Sequence, residues 1–376
     1  MIMDPYLYIL VQIIFVIAGL TILFLLAIVL LRLFHSLGEK RYRQMTEDWE
    51  DVFFGYLQGE LTLEEAAAVF KKANSYPWMW RFLAPYIRSL DGDDFDQAKL
   101  LCRQAGLIDY YKKRLHHRSV TQKALAARTL GSLRCRESTS DLLAMLHSKN
   151  PIFILAAAQG LAASGDTSAF AQTTRTLLNH TFFTFEGAAE ILSRFGVESC
   201  KAITAALEAK TGSGTAENPV EKSLLDHLHG KDSIEPYVYY SLYIDLLGNF
   251  RYREALPALG KLARFADQET MVHILKAFLR IGEMPPGFDI KPFLKHDYWV
   301  VRSFAAQVWK YSRDQEALPL LENLLSDPYW WVRYHAARAL SEAGQNGKTL
   351  LKRKTTESAG AAADISRYIL ELNEVN

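Results

Sequence analysis

A step of about 31 residues recurs along most of this chain, and a repeat of that length decides the architecture before any single motif does. Near the C-terminus, WVVRSFAAQVW from Trp299 and WVRYHAARAL from Trp331 set Arg302 and Arg333, Ala305 and Ala336, and Ala306 and Ala337 all one such step apart. Upstream, Ala127, Ala158 and Ala189 keep the same step, each followed three residues later by Leu130, Leu161 and Leu192. A small residue three positions before a large apolar one lies on the same helical face and lets a neighbouring helix come close. Continued along the chain, the small or apolar anchors fall at Ala127, Ala158, Ala189, Ser241, Leu275, Ala306 and Ala337. Their large partners are Leu130, Leu161, Leu192, Ile244, Phe278, Trp309 and Leu340. Seven residues past the anchors stand Gly165, Gly196, Gly248, Gly282 and Gly344, where a helix ending in a left-handed turn favours glycine; Arg134 and Arg313 break the row. A second helix repeats as well: EALPALGKL from Glu254 and EALPLLENLL from Glu316 lie two steps apart, with proline near the helix start where its missing N–H costs least. Two helices per step, stacked in tandem, predict an all-α fold, an α-solenoid of about seven helical hairpins.

The period breaks once. The interval from Ala189 to Ser241 exceeds one step by about two-thirds of another, and the excess coincides with TGSGTAENPVE from Thr211. Its Gly, Ser, Asn and Pro content predicts a mobile loop near 209–221 on one edge of the solenoid. The repeats are expected over 116–350, a C-terminal capping helix over 351–376, and a juxtamembrane segment with a helical N-terminal cap over 32–115. Within that cap Thr62 and Glu65 have capping-box spacing.

Ahead of the cap, the run from Leu7 to Leu31 carries no charge, and only Gln12 and Thr21 in it are clearly polar. As a helix it reaches about 37 Å, enough to cross a hydrocarbon core of roughly 30 Å with some tilt. A cleaved signal peptide fits poorly, because the chain opens Met-Ile-Met-Asp4 without a basic region. Arg32, Lys40, Arg41 and Arg43 crowd the far end of the run and Asp4 the near end. Positive charge stays cytoplasmic, which predicts a single-pass inner (plasma) membrane protein, residues 1–6 outside and the repeats inside. The cysteines, Cys102, Cys135 and Cys200, are three in number and lack a C-x-x-C pair, in keeping with a reducing compartment.

Val301-Arg302 with Ala305-Ala306, Val332-Arg333 with Ala336-Ala337-Arg338-Ala339-Leu340, and the preceding Asp327-Pro328 resemble the HEAT family, and within it the bacterial HEAT-like repeats of the phycobilisome-lyase type. The resemblance covers 116 to about 350 and speaks for fold. It implies a structural ladder between hairpins in which Asp327 meets Arg333, with Asp297 one residue out of register. The stretch LIDYYKKRLHHRSVTQKALAARTLGSL from Leu107 resembles the entry into the repeats of bacterial membrane-anchored HEAT proteins found alongside polysaccharide-building glycosyltransferases.

Catalysis finds no positive signal. HEAT-like di-iron hydroxylases hold metal on recurring His-Glu pairs, yet none of the ten histidines here precedes a Glu, and adjacent His116 and His117 diverge on a helix. Bilin lyases share only the core and turn residues of the repeat, and the cysteines have no neighbouring base in sequence. With 43 basic against 42 acidic residues the chain has no overall bias toward nucleic acid, and a near-neutral chain bolted to a membrane is a poor candidate for the basic concave face that HEAT-like DNA glycosylases need, so no nucleic-acid partner is expected. No phosphate-binding loop, H-E-x-x-H or G-x-S-x-G motif occurs. No cofactor, metal or small-molecule substrate is expected either.

The second helix of each hairpin lines the concave face of such a solenoid, and the position after each anchor points away from the core. That row reads Arg128, Gln159, Glu190, Leu242, Lys276, Gln307 and Arg338, extended four residues on by Arg194, Arg280, Tyr311 and Glu342. A solvated face and a protein-binding groove both fit it. Trp330 and Trp331 open one repeat; consecutive helical side chains diverge, so at most one points inward and the other is a surface anchor. Together these features predict a membrane-anchored scaffold, not an enzyme, holding a membrane-associated protein partner, with an envelope or exopolysaccharide glycosyltransferase as the specific expectation. The alternative is a bilin-lyase-like enzyme subunit whose site another chain completes.

Overall fold

The computed structural model describes residues 5–72, 75–357 and 360–375, so part of the expected N-terminal segment 1–6 lies outside the described residues. Every regular element among the described residues is helical. The chain divides into two compact units, Met1–His117 and Arg118–Asn376.

The first unit is built on α1 (Pro5–Leu57), which runs 53 residues without a break. Its residues 13–33 are exposed, and it is the one described helix long and apolar enough to cross a membrane. Further along the same helix, Trp49 and Phe53 are buried and start an aromatic core. Trp49 stacks on Phe70 of α2 (Leu63–Lys72) at 5.4 Å and meets Phe82 of α3 (Tyr76–Ser89) at 5.7 Å. Thr62 and Glu65 close the reciprocal capping box at the start of α2, the Thr62 N–H donating to the Glu65 carboxylate at 2.9 Å and the Glu65 N–H to Thr62 Oγ1 at 3.3 Å. Arg81 of α3 lies over the Tyr42 ring at 4.3 Å and donates to both Glu39 carboxylate oxygens at 2.6 and 3.2 Å, fixing α3 against α1. Two further helices, α4 (Gly92–Gln104) and α5 (Leu107–Arg114), complete the unit.

The second unit alternates α6 (Val120–Ser132), α7 (Thr139–Leu146), α8 (Pro151–Ser164), α9 (Phe170–Asn179), α10 (Phe185–Ser193), α11 (Glu198–Lys210), α12 (Pro219–Leu228), α13 (Pro236–Asn249), α14 (Leu256–Leu262), α15 (Gln268–Ile281), α16 (Lys291–Leu294), α17 (Trp299–Ser312), α18 (Leu318–Leu324) and α19 (Trp330–Glu342). It ends in a pair, α20 (Gly344–Glu357) and α21 (Ala361–Val375). The helices bearing the anchors pack on one another in a row, α6 on α8, α13 on α15, α15 on α17 and α17 on α19. Close approach needs small residues there: a Cβ on Gly131 of α6 would stand 2.2 Å from the Gly160 carbonyl oxygen of α8. Ala127, Ala158, Leu275, Ala306 and Ala337 are fully buried and Ala189 is half-buried, while the large partners Leu130, Leu161, Leu192, Phe278, Trp309 and Leu340 are all buried.

Backbone conformation marks the repeat more regularly than glycine does. Left-handed residues end successive anchor helices at Arg134, Gly165, Gly196, Arg251, Gly282, Arg313 and Gly344, so Arg134 and Arg313 adopt the conformation of the glycines whose row they interrupt. Gly248 does not belong to that row: it lies inside α13, where a Cβ would stand 3.1 Å from Ala277 Cα of α15. The true register of α13 is therefore three residues later, with Ile244 as anchor in place of Ser241.

The excess at the period break contains an added helix as well as a loop. Residues 211–218 form a connection that opens with a hydrogen-bonded turn, Ser213 N–H donating to the Glu208 carbonyl at 2.9 Å, and continues without regular structure; α12 follows with a full capping box between Asn218 and Glu221. Proline at the first helical position and the Asn-Glu pair start that helix, which packs on α9, α11 and α13. The loop expected near 209–221 spans 211–218, and Pro219 to Glu221 belong to α12 instead.

The interhairpin ladder also differs from expectation. Asp327, buried, pairs with Arg302 of the preceding repeat at 2.7 Å, and the Arg333 guanidinium instead donates to the backbone carbonyls of Asp327 and Pro328 at 2.8 and 3.0 Å. Arg302 reaches the carbonyls of His296 and Asp297 in the same way, at 2.7 and 2.8 Å. An arginine one turn into the helix is long enough to fold back onto its own entry loop, and this leaves the Asp327 carboxylate to the neighbour.

Candidate functional site

The row of anchor helices opens where the period breaks. Between α10, α13 and α15 lies a groove of about 920 Å³. Ala189 and Ser193 of α10 and Ser241 of α13 line it, and these short side chains keep it open. Glu186 and Glu190 supply carboxylates from α10; His273, Lys276 and Arg280 line the side formed by α15, with Glu269 at its start. Phe185, Tyr237 and Val238 add apolar surface.

Asp245 stands between the two charged walls. Its carboxylate meets Arg280 at 3.0 Å and His273 Nδ1 at 3.1 Å, the latter off the line of a hydrogen bond. Burial raises its pKa, but contact with His273 and the charges of Arg280 and Lys276 outweigh that and hold the carboxyl below the usual range. The site is thus an acidic wall and a basic wall over a neutralised centre.

Of the residues expected to bind a partner, Glu190, Lys276 and Arg280 come together here. Arg194 is exposed beside them and pairs with Glu190 at 3.1 Å. Arg128 and Gln159 sit on α6 and α8, outside the groove. Gln307 donates to the Ser303 carbonyl at 3.3 Å, Tyr311 to the Leu279 carbonyl at 3.4 Å, and Arg338 pairs with Glu342 at 3.5 Å, all beyond it. Leu242 is wholly buried, a correction that follows from the register of α13. Counted from Ile244, the outward positions are Asp245 and Asn249, and both line the groove. One repeat step back from Lys276 lands on Asp245, so the signal was present in the sequence.

Trp330 and Trp331 form a separate patch, and neither points inward: they are 46 and 51% exposed. They meet edge to face at 4.7 Å, Trp330 stacks on Tyr334 at 5.0 Å and Trp331 lies parallel to His335 at 5.8 Å. All three cysteines are buried, and burial pushes the thiols of Cys102 and Cys200 up to about 12, far from a reactive thiolate. Among the described residues no group of three or more His, Cys, Asp or Glu is placed to share a metal.

Residues 289–358, from the approach to α16 to the end of α20, match the family of HEAT repeats. No curated protein matches the chain in sequence. Among solved structures, human deoxyhypusine hydroxylase in complex with glycerol aligns over 89% of this chain and 98% of its own at 14% identity, with a TM-score of 0.21. An engineered protein aligns over 86% and 98% at 17% identity, with a TM-score of 0.31. At those scores neither likeness bears on the site. The stacked helical hairpins make the second unit an α-solenoid, and within it residues 289–358 are similar to the HEAT-repeat family.

Proposed function

We propose that this chain is a membrane-tethered scaffold whose α10–α13–α15 groove holds a segment of a partner protein, without catalysis of its own. The observation that carries this reading is the groove: a cleft of about 920 Å³ with opposed acidic and basic walls and short side chains between them. Opposed charges select the orientation of an incoming segment and repel mismatched ones, whereas small residues leave room for its backbone. The apolar stretch of α1 supports the tether, with the repeats on the cytoplasmic side. The partner class favoured by the Leu107 stretch is an envelope or exopolysaccharide glycosyltransferase.

The test is affinity capture of partners from detergent extracts, comparing the natural chain with Glu190→Lys and Lys276→Glu. Each reversal should lower recovery of the same partner about tenfold while leaving helicity intact, because Glu190 is exposed and Lys276 only half-buried at the groove wall, where a charge contributes little to folding. Undiminished capture by both variants would move the contact surface elsewhere. Turnover of a bilin by the purified chain would replace the scaffold with the lyase-type alternative.

A further inference from the structure

We propose that the cleft between the end of α7, α9 and α12, away from the partner groove, binds a phosphoryl anion. The cleft has a volume of about 720 Å³. His147, Lys149, Gln172, Arg175, His180 and His227 line it with neutral hydroxyl and amide side chains, Leu146 is its one apolar lining residue, and no carboxylate is among them. A surface so rich in donors and without a lining acid suits a ligand that presents only acceptor oxygens. A phosphoryl group, with three oxygens and up to two negative charges, uses more of these donors than a carboxylate can. The volume is that of a small-molecule pocket, so it also leaves space for what the phosphorus is attached to.

The back wall is built, not incidental. His227 of α12 is buried, stacks on Tyr239 at 4.3 Å, and holds Nδ1 2.7 Å from the Tyr243 hydroxyl. Its Nε2 lies 3.9 Å from Asp232, beyond hydrogen-bond reach. Asp232 accepts from Tyr239 at 2.6 Å and from the Ile234 N–H at 2.9 Å, and lies 3.7 Å from Arg175 Nε. That contact positions Arg175 and leaves its terminal nitrogens available. On the opposite side the Gln172 amide donates to His147 Nε2 at 2.9 Å, which places the His147 proton on Nδ1. Lys149 is exposed and has no salt bridge among the described residues. The inserted helix α12 thus contributes a wall that an unbroken repeat would lack.

Two sources present such a phosphoryl group, a soluble ester and a lipid headgroup. Phe182, two residues past His180 and 69% exposed, would sit in the interface in the second case. Thermal unfolding of the full chain in detergent, titrated with inorganic phosphate and glycerol 3-phosphate against sodium chloride of equal ionic strength, tests the first source. Hydrogen exchange of α9 in the full chain reconstituted with phosphatidate-containing or phosphatidylcholine-only vesicles tests the second. We expect stabilisation by phosphate above the chloride control in the first arm, or slowed exchange confined to phosphatidate vesicles in the second. Lys149→Gln with His180→Gln, both at the cleft surface, should weaken the response about tenfold, and Glu190→Lys in the partner groove should leave it unchanged. Soluble phosphate acting alone assigns a soluble ester, and a response confined to phosphatidate assigns a headgroup. An equal effect of chloride, an undiminished response in the double variant, or none in either arm overturns the proposal.

Discussion

Arg313 holds φ at 51° where glycine holds the equivalent turn at Gly165, Gly196, Gly282 and Gly344. The left-handed region costs a side-chain-bearing residue roughly 1 kcal/mol relative to glycine, so Arg313→Gly should raise the unfolding midpoint by an amount equivalent to about 1 kcal/mol. An unchanged or lowered midpoint in thermal denaturation would mean that the arginine side chain offsets the strain. His227 shows the opposite kind of single-residue effect. Burial lowers its pKa from 6.5 to about 4, Asp232 resisting and Arg175 assisting. The unfolded chain then binds more protons than the folded one between those values, and stability falls as pH drops through that window. Full loss amounts to about 3 kcal/mol. His335, likewise pushed to about 4 by burial and by Arg338, adds to the same window. His227→Gln should therefore flatten, but not abolish, the decline in denaturant midpoint measured from pH 7 to pH 4. Neither effect shows in the sequence: a histidine beside Leu228 reads the same whether it faces solvent or a tyrosine.

At the level of single helices, α13 separates what was legible from what was not. The spacing predicts a helix end near Gly248, but close packing on Ala277 uses that glycine, and the left-handed turn falls to Arg251. Two different physical demands, close approach and positive φ, select the same residue type, so spacing alone could not choose between them. That ambiguity hid Asp245 and with it the centre of the groove, whereas Lys276 and Arg280 on the regular α15 were found. The ladder was likewise half legible. Sequence supplied Asp327 and an arginine, and side-chain reach decided which arginine. Arg302 and Asp327 are 13 and 5% exposed in their side chains, so removing one partner leaves a buried, uncompensated charge. Arg302→Ala should cost about 3 kcal/mol, and Arg302→Met with Asp327→Leu clearly less than the two single changes added together. Additive losses in a double-mutant cycle of chemical denaturation would show that the pair is not coupled.

Across the whole molecule, the repeat step and the apolar run of 7–31 carried most of the architecture, because each is a periodic or extended signal that tolerates local exceptions. The added helix α12 was missed because a Gly- and Ser-rich turn precedes it and drew the whole excess into a loop. What the sequence left open at the other end is how the apolar run connects to the first unit. Leu31 and Trp49 lie on one continuous helix, and at about 1.5 Å per residue the aromatic core begins roughly 27 Å beyond the apolar run. That stretch is a stalk braced by α3 from Glu39 and Tyr42 onward, and it bears exposed Arg32, Lys40, Arg41 and Arg43; with the apolar run in a bilayer, as proposed, these charges would lie within one headgroup layer and the water beside it. Moving those four cations across a hydrocarbon core is far costlier than moving Asp4 alone, so the stalk should stay on the cytoplasmic side. Reporters active only in the cytoplasm, fused to either end of the full chain, should give signal from the C-terminus and not from the N-terminus. Replacing the four cations with glutamine should erode that preference and leave a mixed population, since the apolar run itself has no direction. Signal from the N-terminal fusion alone in the natural chain would reverse the placement and put the groove, the phosphoryl cleft and their partners outside the cell membrane.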